Sequence, residues 1–181
     1  MSGDGSDHAT VTLFDGTMVA VRPICPADLE ALKRFHLRLS QHSIYLRFFG
    51  IVPELSHDRA RYFTHLDGVD RFALVALDPG QPDEIIGVAR FDREPGTDEG
   101  EYACVVEDHW QGRGIGLTLT RSLIEAAHAR GYRCMFALVL PENVRMVNLL
   151  KDLGMPERVR WVAGVQRIEV DISGPEKRAV D

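Results

Sequence analysis

Apolar and polar positions change their spacing several times along the chain, and each change predicts an element. Residues 11–24 alternate around Asp15-Gly16, a pair suited to a tight reversal, and predict a β-hairpin. Pro26 and Asp28 then open a helix that runs to about Leu39. Residues 40–50 read as a short second helix and residues 56–66 as a third. Residues 71–77 and 84–93 are strands joined by a turn-rich stretch at 78–83, and residues 101–106 form a third central strand. A glycine-rich run, Gln111-Gly112-Arg113-Gly114-Ile115-Gly116, separates that strand from an amphipathic helix that begins at Leu117 and ends near Arg130, with Gly131 as its C-terminal stop. Residues 133–140 form the next strand. Pro141-Glu142-Asn143 starts a helix that ends near Leu153-Gly154, and residues 159–161 and 165–172 close the pattern as a hairpin. The order predicts an α/β fold in which a mixed sheet carries helices on both faces.

The chain has 181 residues, which suits a single domain with a sizeable core, expected over about 17–172 with tails at 1–9 and 173–181. Hydrophobic residues make up 45% and charged residues 27%, as in ordinary water-soluble proteins. The net charge of −6 argues against a nucleic-acid partner. Three cysteines, Cys25, Cys104 and Cys134, lack metal-ligand spacing and suggest a reducing, cytoplasmic setting. No histidine pair has ligand spacing, so no metal is expected. The N-terminal residues have no apolar signal core, and no run is long enough to cross a bilayer, so no membrane association is expected.

The glycine run carries the first chemical signal. Alternating glycines allow positive φ and close backbone approach, and the first helical turn beyond them presents unpaired N–H groups with partial positive charge. Such a turn binds phosphate, the diphosphate of coenzyme A being the candidate here. No Lys-Ser/Thr follows, so it is not a P-loop, and Leu117 stands where a dinucleotide fingerprint needs glycine. A plain tight turn is the other reading. The pattern Q-x-x-G-x-G resembles the coenzyme A loop of the GNAT acetyltransferase superfamily, and the order of elements resembles that family over about residues 17–172.

The resemblance implies a GNAT fold: a central, mostly antiparallel sheet whose fourth and fifth strands splay apart, with helices on both faces. Residues 101–106 match the fourth strand, and Cys104, Val105 and Val106 match the positions whose backbone pairs with the pantetheine arm. The diphosphate would rest on Gln111, Gly112, Arg113, Gly114, Ile115, Gly116 and Leu117. Asn143 and Met146 match the family's N-x-x-[AM] positions, where the asparagine reaches the pantetheine or acyl end. Asn143 also reads as a helix N-cap, and both roles are compatible. The segment Ser40-Gln41-His42-Ser43-Ile44-Tyr45-Leu46-Arg47-Phe48-Phe49, the run Trp110 to Gly114 and residues 164–175 resemble the bacterial Pat-type protein lysine acetyltransferases. Relatives of that type often carry a further regulatory domain, for which this chain is too short, so control by cyclic AMP is not implied.

A lysine acceptor poses a proton problem. Its pKa near ~10.4 leaves roughly one amine in a thousand neutral at pH 7, a penalty of about 4 kcal/mol. Glu101 is the candidate base, and its placement matches the catalytic glutamate of the Pat-type enzymes. By strand alternation it shares a face with Ala103 and Val105 and would be partly withdrawn from water. The other reading is a solvated strand end within an acidic run, with Glu99 as the rival base on the same face. Glu107 and Asp108 read as a solvated turn. A backbone N–H near Val105 is the candidate donor to the thioester oxygen. The position of the family's usual tyrosine acid is Leu150, so no general acid is assigned. Cys104 reads as inert core rather than as an acyl-carrying nucleophile. Arg113 is expected at a phosphate, an exposed arginine being the alternative, and His109 reads as an exposed turn residue, a phosphate contact or a distant base being the alternatives. Tyr45, Arg47, Phe48 and Phe49 are candidates for the acceptor side, with helix packing as the alternative for the two phenylalanines.

The activity so implied is acetyl transfer from acetyl-CoA to a protein lysine ε-amine, for example on an acyl-CoA synthetase, by direct attack. A GNAT enzyme acting on a small amine and a non-catalytic acyl-CoA sensor are the alternatives.

Overall fold

A computed structural model describes residues 9–174. The expected tails therefore fall, apart from Ala9, Ser173 and Gly174, outside the described residues. The first hairpin pairs β1 (Ala9–Thr12) with β2 (Met18–Pro23). A turn of 3-10 helix at Pro26–Asp28 leads into α1 (Leu29–Arg38), so the helix expected from Pro26 starts with a tighter turn. Two short helices follow, α2 (Gln41–Phe48) and α3 (His57–Thr64), each capped by a serine, Ser40 and Ser56, whose hydroxyl accepts from a backbone N–H three residues on. Then come β3 (Arg71–Leu77), β4 (Ile85–Arg93) and β5 (Glu99–Val106), which starts two residues before the expected residue 101 because it still pairs with its neighbours there. After the glycine loop, α4 (Ile115–Ala129), β6 (Cys134–Val139), α5 (Val144–Asp152), β7 (Glu157–Val162) and β8 (Val165–Asp171) complete the fold.

Among the described residues the strands form one eight-stranded sheet in the order β1-β2-β3-β4-β5-β6-β8-β7. Every neighbouring pair is antiparallel except β5 and β6. Strand alternation divides the interior in two. Phe72, Ile86, Phe91 and Tyr102 face α4, where they meet Ile115, Leu119 and Leu123. Val75, Leu77, Ile85 and Val88 face the opposite layer, with Leu32 and Phe35 of α1, Ile44 of α2 and Ala60 of α3. Both faces of β3 and β4 are buried, which explains why these strands read as continuous apolar runs rather than alternating ones.

Candidate active site

The parallel pair β5 and β6 does not run its full length. Only Glu99, Gly100 and Glu101 pair with Cys134, Met135 and Phe136. Beyond Glu101 the strands separate, while β5 stays paired with β4 from Gly100 to Val106. The edge of Tyr102 to Val106 thus opens into a cleft. The glycine loop lies at the far end of it. Gly112 and Gly114 have φ of +77° and +96°, which L side chains rarely adopt, and a Cβ on Gly114 would meet the Phe14 ring at 3.0 Å. The helix α4 starts at Ile115, two residues before the expected Leu117, and Thr118 makes its first backbone bond, to the Gly114 carbonyl. The N–H groups of Ile115, Gly116 and Leu117 precede that bond and remain available to an anion. Among the described residues, those of Gly112, Arg113 and Gly114 meet no backbone acceptor either. A diphosphate fits this row of donors.

Side chains brought from distant parts of the chain hold the loop. Asp108 accepts from the Ser40 backbone N–H at 2.9 Å, the Ser40 hydroxyl at 2.6 Å and the Ser43 hydroxyl at 2.8 Å. Glu107 is buried and accepts from Nε of Arg38 at 2.9 Å, while Arg38 also reaches Glu84 at 2.6 Å. The expected solvated turn at Glu107 and Asp108 is therefore corrected: both carboxylates bolt α1 and α2 to the base of the loop. Gln111 donates from Nε2 to the Val106 carbonyl at 2.9 Å and to the Ser43 hydroxyl at 3.2 Å, and its Oε1 accepts from Arg145. Gln111 thus braces the loop with its side chain, and the Val106 carbonyl is already satisfied.

The cleft continues into one cavity of about 980 Å³, lined at one end by Gln111, Gly112 and Gly114 to Leu117, and along its length by Cys104, Val105, Val106, Asn143 and Met146. Asn143 caps α5, its Oδ1 accepting from the Met146 N–H at 3.1 Å, which leaves its amide nitrogen for a ligand. Glu101 opens into the same cavity. The expectation that Ala103 and Val105 enclose it is corrected, since its side chain is exposed. Its rival Glu99 is taken by Arg167 at 2.9 Å, because the neighbouring β8 strand brings that guanidinium alongside. Arg113 is turned away from the groove: it pairs with Asp15 at 3.5 Å and stacks on Trp110, so only its backbone serves the loop. Leu150 is buried in the core.

Burial pushes the Cys104 thiol up to about 11, against partial opposition from a hydrogen bond with Tyr102 and the charge of Arg47. A thiol held so is protonated at neutral pH. On the α2 side, Arg47, Phe48 and Phe49 line the cavity, whereas Tyr45 and His109 lie outside its wall. Phe48 also packs against His36 and Phe63, so wall and packing roles coincide. Sequence reasoning missed Arg59 of α3 and Phe14 of the first hairpin, which also line the cavity. Neither stands near a motif, and only the fold brings them there. Among the described residues no helix is long and apolar enough to cross a membrane.

The chain is similar over most of its length to known acetyltransferases. Residues 39–155 match the acetyltransferase (GNAT) family. The chain is 32% identical over 152 residues to an acetyltransferase of Pseudomonas aeruginosa, covering 82% of this chain and 80% of that protein. It is 33% identical over 163 residues to the acetyltransferase Pat of Mycolicibacterium smegmatis, covering 90% of this chain but only 48% of Pat. The crystal structure of the GNAT domain of S. lividans PAT superposes with a TM-score of 0.84 at 38% identity, covering 91% of this chain and 96% of that one. With its splayed parallel pair, its glycine loop and these relatives, the chain belongs to the GNAT family of acetyltransferases.

Proposed function

We propose that this protein transfers an acetyl group from acetyl-CoA to the ε-amine of a protein lysine, with Glu101 as general base. One observation carries the reading: Glu101, a β5 carboxylate with no cation at ion-pair distance among the described residues, opens into the same cavity as the glycine loop, and the unpaired edge of β5 lies between them. Acetyl-CoA supplies the activated acyl carbon. Its diphosphate rests on the N–H groups from Gly112 to Leu117, and its pantetheine arm lies along Cys104 to Val106, beside Asn143 and Met146. Glu101 takes the proton of the incoming amine, directly or through water. A backbone N–H on the open edge of β5, that of Cys104 or Val106, donates to the thioester oxygen as charge grows there, because Val105 itself turns its N–H to Val88 of β4. The thiolate leaves without an assigned acid, since Leu150 has no proton to give. The choice of a protein lysine is supported by the likeness to Pat-type relatives along most of the chain.

Glu101→Gln tests the role. Turnover should fall by a few orders of magnitude while calorimetric affinity for coenzyme A stays nearly unchanged. Unaltered turnover removes Glu101 from the mechanism. Mass spectrometry of lysate proteins incubated with the purified chain and labelled acetyl-CoA identifies the acceptor class. Absence of any affinity for coenzyme A overturns the whole reading.

A further inference from the structure

The ring of Phe48 is shared by two guanidiniums, with Cζ of Arg47 and Cζ of Arg59 each 4.9 Å from its centroid. Both side chains line the cavity that Glu101 opens into. Neither has a carboxylate at ion-pair distance among the described residues. Their neighbours on the sheet behave differently. Arg90 is buried and grips Asp92 at 3.0 Å, and Arg71 reaches the same carboxylate at 3.2 Å. Asp92 is therefore already shared, and Glu101 is the anion left facing Arg47 from β5. Three guanidiniums, Arg47, Arg59 and Arg90, surround Phe48 and Phe63. Even without Arg71, they outnumber the two carboxylates Asp92 and Glu101.

The Arg47 guanidinium is pulled down to about 10, first by burial and then by Arg90, with Glu101, Asp92 and Cys104 opposing. The other titratable groups around it are His42 on its own helix and His36 of α1, whose imidazole Nε2 bonds the Val52 carbonyl at 2.6 Å. Across the cavity, α5 and the loop before it bring Glu142, Arg145 and Asp152, and the turn before the glycine loop brings Asp108, which is held by Ser40 and Ser43.

We propose that Arg47 and Arg59 act on the acceptor amine, their uncompensated charge disfavouring the ammonium form of a lysine that enters beside Glu101. This rests on the reading that the acceptor is an amine. Like charge nearby favours the neutral form of a base, and the same principle activates lysines placed next to a second cation. The proton leaves the ammonium for Glu101 or for water. The freed lone pair attacks the thioester carbon, the C–N bond forms, and the C–S bond breaks with the thiolate departing. Arg47 and Arg59 are positioning residues in this scheme, since they neither take the proton nor touch the acyl carbon.

The test uses the full chain, saturating acetyl-CoA and a saturating lysine peptide that the wild-type protein acetylates, with kcat followed against pH, because kcat reports the groups of the bound complex. In Arg47→Gln the rising limb should move upward by about one pH unit. The loss should be about tenfold below neutrality and vanish at high pH. The same peptide carrying S-aminoethylcysteine in place of lysine has a less basic amine and should show a smaller loss. Arg47→Lys should restore the wild-type profile, and Arg59→Gln, which alters an exposed side chain, should move the limb in the same direction by less. Calorimetric affinity for coenzyme A should be unchanged in all variants. A loss by one constant factor at every pH and on both peptides overturns the proposal and leaves Arg47 as a wall residue. So does an unmoved limb in both Arg47→Gln and Arg59→Gln. Failure of wild type to acetylate any amine overturns the underlying reading instead.

Discussion

Asp108 receives both donors of Ser40, the backbone N–H at 2.9 Å and the hydroxyl at 2.6 Å, across 68 positions of chain. The same carboxylate takes the Ser43 hydroxyl at 2.8 Å, so the first turn of α2 is fastened to the turn that precedes the glycine loop. Asp108→Ala strands these donors. Hydrogen bonds to a charged group contribute about 1.5–3 kcal/mol each when buried, and less at this partly open site. A total loss of about 2–3 kcal/mol follows, which lowers Tm by about 5–10 °C in a domain of this size. Because the loop loses its brace, KM for acetyl-CoA should rise several-fold. Thermal melts and steady-state kinetics check both, and an unchanged Tm would remove Asp108 as an anchor.

Acid should unfasten this anchor and one other. Burial raises the Asp108 carboxyl, but the Ser40 and Ser43 donors outweigh it and hold it below the ordinary carboxylate range. Burial likewise opposes the fork from Arg22 and the Cys25 N–H at Asp28, where the net direction is again down. A carboxylate with a depressed folded value contributes stability that is fully present above its unfolded pKa of ~3.9 and is lost as pH falls through the folded value. Tm should be flat from pH 7 to about 5 and fall steeply below about 4. In Asp28→Asn the acid fall should be shallower, starting from a lower plateau. Differential scanning calorimetry across this range measures it, and a fall of equal steepness in the variant would count against the Arg22–Asp28 pair.

What could be read along the chain was local. Positive φ at Gly112 and Gly114 needs only the glycines themselves, and the face shared by Glu101 and Val105 needs only a strand period of two. The Asp108 anchor could not be read, because its partners lie 65 and 68 positions away and an acidic turn looks solvated until the fold brings serines to it. The exposure of Glu101 was missed for a similar reason: Ala103 and Val105 are small neighbours, and the layer above them opens at the cavity instead of closing on the carboxylate. Arg113 fits the phosphate role by type and position, yet the hairpin tip supplies Asp15, a partner no motif announces.

Gly100, directly before Glu101, is held to glycine by a ring. A Cβ there would stand 2.0 Å from Cζ of Phe91. Phe91 is fully buried, stacked on Phe72 at 5.0 Å and against Tyr132 at 4.6 Å, and has nowhere to retreat. Gly100→Ala should cost about 1–3 kcal/mol as an overpacked core, seen as a lower urea midpoint at an unchanged slope. Turnover should fall with it, since the backbone that carries Glu101 must shift.

The β7–β8 hairpin turns on Ala163 and Gly164, between the paired residues Val162 and Val165. Both have positive φ, +48° and +83°, the signature of a type I′ turn. Alanine is strained there, whereas asparagine and glycine accept this region. Ala163→Asn should stabilise the protein by about 0.5–1 kcal/mol, raising Tm by about 1–3 °C without altering kinetics. A lower Tm would refute the turn assignment.

Cys104 lines the cavity within reach of an acyl group, so chemistry must decide whether it carries one. Burial pushes its thiol from 9.0 to about 11, with Tyr102 and Arg47 opposing. At pH 8 that leaves roughly one thiolate in a thousand, about a hundredfold less than an unperturbed thiol of pKa 9.0. Iodoacetamide should therefore label Cys104 about a hundredfold more slowly than a cysteine in a short peptide. Removing the opposing charge in Arg47→Gln should slow it further. Cys104→Ala should keep turnover within a few-fold of wild type, and protein denatured after mixing with labelled acetyl-CoA alone should retain no label. Label recovered on Cys104 would mean that the acyl group passes through the enzyme, and Glu101 would then serve a second transfer step instead of the direct attack.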